Sequence, residues 1–73
     1  MIKDKDIACE INELMLEYSK KIDATIAQVQ SSCSNEEFEK YRKASGVVLG
    51  NILLEIMNPI YKEHPDLKPK ELE

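Results

Sequence analysis

The sequence predicts an all-α fold: a two-helix antiparallel hairpin with a short, proline-containing C-terminal tail, dimerising into a four-helix bundle. Three observations lead there. Apolar residues recur at helical spacing from Ile7 to Val29. The break that follows, "SSCSNEE", holds a helix-start signature. Beyond it, "GVVLGNILLEIMNPIY" (residues 46–61) is apolar around most of a helical cylinder, since successive side chains turn by about 100°. One neighbouring helix cannot cover such a surface.

The first helix is expected over about 4–30. Ile7, Ile11, Leu14, Tyr18, Ile22 and Val29 form its apolar stripe, widened by Ala8, Met15 and Ile26. Ile7 to Tyr18 and Tyr18 to Val29 are eleven residues each, close to the repeat of a straight helix, so no heptad supercoil is imposed. Asp4 and Asp6 complement the dipole at its start, and Glu17 stands one turn before Lys21 on the solvated side.

The second helix is expected over about 35–58. Ser34, followed three residues later by Glu37, matches a capping box, in which each side chain satisfies an orphan N–H at the other's position. Cys33 and Phe38 then stand where a hydrophobic staple would form. So short a connection sets the two helices side by side and antiparallel. Phe38, Tyr41, Ser45, Val48, Ile52 and Ile56 make the face directed at the first helix.

The opposite side of this helix changes character midway. Its first half is charged, with Glu36, Glu39, Arg42 and Lys43. Its second half reads Gly46, Val47, Gly50, Leu53, Leu54 and Met57, and these six are the expected dimer interface. Gly46 and Gly50, one turn apart, permit close approach of backbones. Each glycine costs a helix about 1 kcal/mol against alanine, so a compensating contact is expected. The competing explanation is a bulky neighbour within the same hairpin. Asn51 and Glu55 form, with Ala44, a thin solvated strip, or alternatively a buried polar pair that fixes register at the dimer seam.

Pro59 lacks the N–H that a helix needs, so the second helix is expected to end or kink at Asn58. An alternative is one further short turn with proline at its first position. Within the tail, about 59–73, "HPDLKPKELE" (64–73), with few apolar groups besides Leu67 and Leu72, is expected to be extended or frayed. Ile60 and Tyr61 are expected to cap the open end of the bundle, and with Leu67 they offer too little surface to cover the second face.

Function is bounded mostly by exclusion. Seventy-three residues make a single domain near the lower limit for a self-sufficient core. A formal charge of −4, with basic residues scattered among acidic ones, argues against a nucleic-acid partner. The apolar run is shorter than the ~20 residues a bilayer demands, and no basic amphipathic face suggests a membrane surface. The opening "MIKDKDIACE" has no apolar leader, which makes the cytoplasm the expected compartment and free thiols the expected state of Cys9 and Cys33. His64, beside Pro65, is expected to be exposed and inert, and a zinc site from Cys9, Cys33 and His64 lacks a fourth ligand and close spacing. Tyr61 stands where the Glu-x-x-His motif of di-iron bundles needs glutamate. Glu10, Glu13 and Glu17 read as a solvated acidic face. No catalytic residue, metal or cofactor is expected.

The leading expectation is therefore an acidic homodimer acting through protein–protein contacts, as a regulator, adaptor or accessory subunit. The alternatives are half of a hetero-complex, antitoxin-like or chaperone-like, and a small-molecule-binding bundle with a pocket between protomers near Tyr18, Tyr41 and Asn51.

Overall fold

The computed structural model describes residues 1–69, so the expectation for Leu72 lies outside the described residues. The architecture is all-α, with two long helices and no strand among the described residues. Helix α1 spans Lys5–Ser32, opened by Asp4, whose carboxylate accepts from the Ile7 N–H at 3.1 Å. It stops where Cys33 turns extended. Helix α2 spans Asn35–Asn51 and begins with a complete capping box: Ser34 Oγ accepts from the Glu37 N–H at 3.2 Å, and Glu37 Oε1 accepts from the Ser34 N–H at 3.3 Å.

Pro59 does not end the second helix. A π-helical turn, Ile52–Met57, leads directly into α3, Asn58–Glu63, and Asn35–Glu63 forms one unbroken rod of 29 residues. In an α-helix the proline ring would collide with the carbonyl four residues back and leave it without a donor. Here the Asn58 N–H reaches five residues back to Leu53 O, which widens the helix just before the ring. Asn58 makes no side-chain cap, and Pro59 sits within the first turn of α3. By length and composition alone the rod is also long and apolar enough to cross a membrane, with a mean hydropathy of 1.2 in its best window. The expectation of too short a run counted only the apolar stretch 46–61, whereas the rod that carries it is 29 residues long.

The hairpin packs on the expected Ile22, Ile26 and Val29 in the second half of α1, and one residue aside from the expected stripe in the first half. On α1, Ala8, Asn12, Met15, Ser19, Ile22, Ile26 and Val29 are buried or half-buried, alternating steps of four and three. Ile7, Leu14 and Tyr18 remain 46%, 43% and 50% exposed. On α2 the inward positions are Phe38, Tyr41, Ser45, Leu49, Ile52 and Ile56, with Leu49 in place of the expected Val48, which is exposed. The π turn consumes an extra residue, so the buried stripe advances to Met57, Ile60 and Tyr61.

The tail is not frayed over its described part. It folds back against the start of α1, and the core lies there: Ala8, Met57, Ile60 and Tyr61 are buried together, with Ile11, Ile56 and Leu67 packed around them. The Tyr61 hydroxyl donates to Asn12 Oδ1 at 2.5 Å, and Asn12 Nδ2 reaches Leu67 O at 3.5 Å. A 3₁₀ turn, Pro65–Leu67, carries Asp66 to an ion pair with Lys5. His64 is half-buried rather than exposed, its Nε2 2.9 Å from Ile2 O. A carbonyl only accepts, so Nε2 carries the hydrogen. Ile2 presents that carbonyl at a φ of 57°, a left-handed conformation that strains a β-branched residue.

Candidate interaction surface

The second half of α2 and the π turn carry the expected interface residues, and the fold divides them. Val47 and Leu54 are 64% and 63% exposed. Gly46 is exposed beside them, while Gly50 and Leu53 are half-buried. Met57 leaves the set: the π turn rotates it into the chain's own core, where it is 4% exposed. Leu53 also packs on that core by one side.

The two glycines have no reason within the hairpin. A Cβ built on either one meets nothing within 4 Å. The competing explanation, a bulky neighbour in the same chain, therefore fails. Beside the glycines an open apolar cleft of about 350 Å³ runs between the helices, lined by Leu16, Ser19, Lys20 and Asp23 from α1 and by Leu49, Leu53 and Met57 from the rod. Its floor is aliphatic, and its only charges, Lys20 and Asp23, stand on the α1 side. Such a surface can bury apolar side chains.

Asn51 and Glu55 are both exposed, on the water side of the rod within one chain. Within one chain neither this cleft nor the one at the end of the rod is lined by Tyr18, Tyr41 or Asn51. Tyr41 is instead tied across the hairpin, its hydroxyl 2.6 Å from Thr25 Oγ1. The hydroxyls of Thr25 and then Ser45 hold its phenol below the ordinary range. A second cleft of about 430 Å³ lies at the end of the rod, lined by Asn58, Tyr61, Lys62, Pro65 and Lys68, and includes none of the three.

Both cysteines are free thiols. Cys33 is exposed and Phe38 half-buried, so a staple between them would bury little surface. Cys9 is half-buried; desolvation, then the Glu13 carboxylate, push its thiol up, which lowers its thiolate fraction and its reactivity. Among the described residues no group of three or more His, Cys, Asp or Glu side chains is placed to hold a metal.

Ala8, Asn12 and Thr25 are structural residues that the apolar pattern did not single out as central. The signal for the first two was their heptad spacing with Met15, hidden by the larger side chains at Ile7 and Leu14. No protein-family model matches the chain, and neither the curated proteins nor the solved structures give a match.

Proposed function

We propose that this chain is a small cytoplasmic homodimer that acts through protein–protein contacts, as a regulator, adaptor or accessory subunit. In this reading two hairpins meet across a two-fold axis along the second half of α2 and complete a four-helix bundle. The observation that supports it is the pair of helical glycines with empty space over both. Each costs about 1 kcal/mol in a helix interior, and a close-packed second rod offsets that cost. Val47 and Leu54, nearly two-thirds exposed on either side of them, are the apolar groups such a rod would cover. Lipid is a poorer cover than protein, because Glu55 is exposed within the rod's apolar stretch and a charge at mid-bilayer costs about 2.5 kcal/mol or more.

Sedimentation velocity over a concentration series tests the reading. The wild type is expected to dimerise. Gly50→Leu should shift it to monomer, since overpacking costs about 1–3 kcal/mol and a two-fold contact feels it twice. Leu54→Asp should do the same with helix content retained, because Leu54 lies outside the chain's own core. Lys43→Ala, on the charged half, should be silent. A wild type that stays monomeric at high concentration would sink the homodimer and turn attention to a different chain, antitoxin-like or chaperone-like, on the same face.

A further inference from the structure

Helix α1 carries a second apolar seam that the hairpin leaves half open. Ile7, Ile11, Leu14 and Tyr18 follow one another at steps of four, three and four, each one residue before the buried row that begins at Ala8. Three of the four are between 43% and 50% exposed. The row preceding the seam is Asp6, Glu10, Glu13 and Glu17, acidic at every position and exposed at every position. Glu17 is paired with Lys21 at 3.1 Å; Asp6, Glu10 and Glu13 make no ion pair among the described residues.

The seam gains one residue from the other helix. Tyr18 lies seven residues before Thr25, and Val48 seven after Tyr41. The Thr25 and Tyr41 hydroxyls meet at 2.6 Å, and the helices are antiparallel, so Tyr18 and Val48 share that edge two turns further on. Val48 is 48% exposed. The cleft beside the glycines is elsewhere, because its lining residues Leu16 and Lys20 each stand two positions, about 200° of helix, beyond Leu14 and Tyr18.

We propose that this seam docks an amphipathic helix from a partner protein, with apolar anchors at heptad spacing and lysine or arginine along the edge that meets the acidic row. Charge complementarity selects that occupant. A second copy is disfavoured, because an antiparallel two-fold pairing would set the acidic row against itself. An anionic lipid surface is repelled for the same reason. The seam lies away from the glycine face and is open whether or not two copies pair there.

The test is fluorescence anisotropy with two synthetic three-heptad peptides, leucine at both core positions, one flanked by lysine and its twin by glutamate. The wild-type chain should bind the lysine peptide and not the twin. Leu14→Gln should weaken that binding by about tenfold or more, because it removes a central anchor without changing charge. Glu10→Lys combined with Glu17→Lys should reverse the preference between the peptides. All these positions are exposed, so the variants should keep the wild-type circular dichroism. Failure to bind the lysine peptide, or binding that survives Leu14→Gln, would overturn the proposal; the latter would mean charge attraction alone. So would binding to phosphatidylserine vesicles in place of the peptide. Self-association lost in Leu14→Gln but kept in Leu54→Asp would give the seam to a second copy. A monomeric wild type that still discriminates the peptides would refute the dimer and leave the docking seam standing.

Discussion

The two ends of the hairpin are held together by different means. At the turn the chain itself brings the helices close, and polar contacts do the rest: the Ser34–Glu37 box and the Thr25–Tyr41 hydroxyl pair. Val29, Phe38 and Ile26 there are all only half-buried. At the open end Ala8 and Ile60 have no exposed surface at all, and Met57 and Tyr61 almost none. Joining positions some fifty residues apart costs roughly 2 kcal/mol more in loop closure than joining positions five apart. The free end therefore needs apolar burial where the turn does not. Connectivity and packing are interchangeable here, and each is strong where the other is weak.

The largest test of that contrast is Ile60→Ala against Val29→Ala. Truncating a fully buried isoleucine costs about 2–5 kcal/mol, a large share of the ~5 kcal/mol available to so small a domain. Chemical denaturation should show Ile60→Ala unfolding or losing the open end, while Val29→Ala costs a fraction of that. Equal penalties would break the comparison.

Next in size is Asn12→Ala, which strands the Tyr61 hydroxyl and the Leu67 carbonyl near the core. An expected loss of about 1–3 kcal/mol should be partly recovered when Tyr61→Phe is added, because the orphaned hydroxyl is then gone. Ser34→Ala should cost about 1 kcal/mol at the other end, and hydrogen exchange should place the loss in the first turn of α2.

The smallest effect is the pH response of the Lys5–Asp66 pair. The hydrogen bond from Lys5 holds the Asp66 carboxyl below its ordinary range. Its folded value is thus depressed, so the pair contributes above the ordinary carboxylate pKa of about 3.9 and is lost as pH falls through the folded value. Both side chains are more than half exposed, and solvent screening keeps the contribution small. An NMR titration of the Asp66 side chain should follow it, and Asp66→Asn should remove that acid response.

What the sequence made legible was local. Helical spacing on both sides of a loop, with Ser34 and Glu37 in register, is enough for two helices, because caps and periodicity depend only on near neighbours. The phase of the buried stripe was legible over Ile22–Val29 and most of α2, but not at the start of α1. Two stripes compete on α1, Ile7–Ile11–Leu14–Tyr18 and Ala8–Asn12–Met15–Ser19, and a hydrophobicity pattern favours the first because alanine, asparagine and serine score poorly. Packing chose the second, since small residues let the helices approach and Asn12 found Tyr61. The glycine side of α2 is readable, but ordinary α-helical spacing places Met57 on it, whereas the π turn rotates Met57 into the core.

That wide turn gives the rod two reading frames. Up to Ile52 the inward positions follow one count along the chain; after Met57 they follow another, displaced by a single residue. Deleting an exposed residue within it, such as Glu55, would let the turn tighten to an ordinary helix with Ile60 and Tyr61 still facing Ala8 and Asn12, but Pro59 would then clash with the carbonyl four residues back. An insertion between residues 52 and 57, with no second wide turn to absorb it, would instead act as a frameshift in three dimensions, turning Ile60 and Tyr61 about 100° away from the open end. The same edit in the loop at Ser34 would move no inward position of either helix.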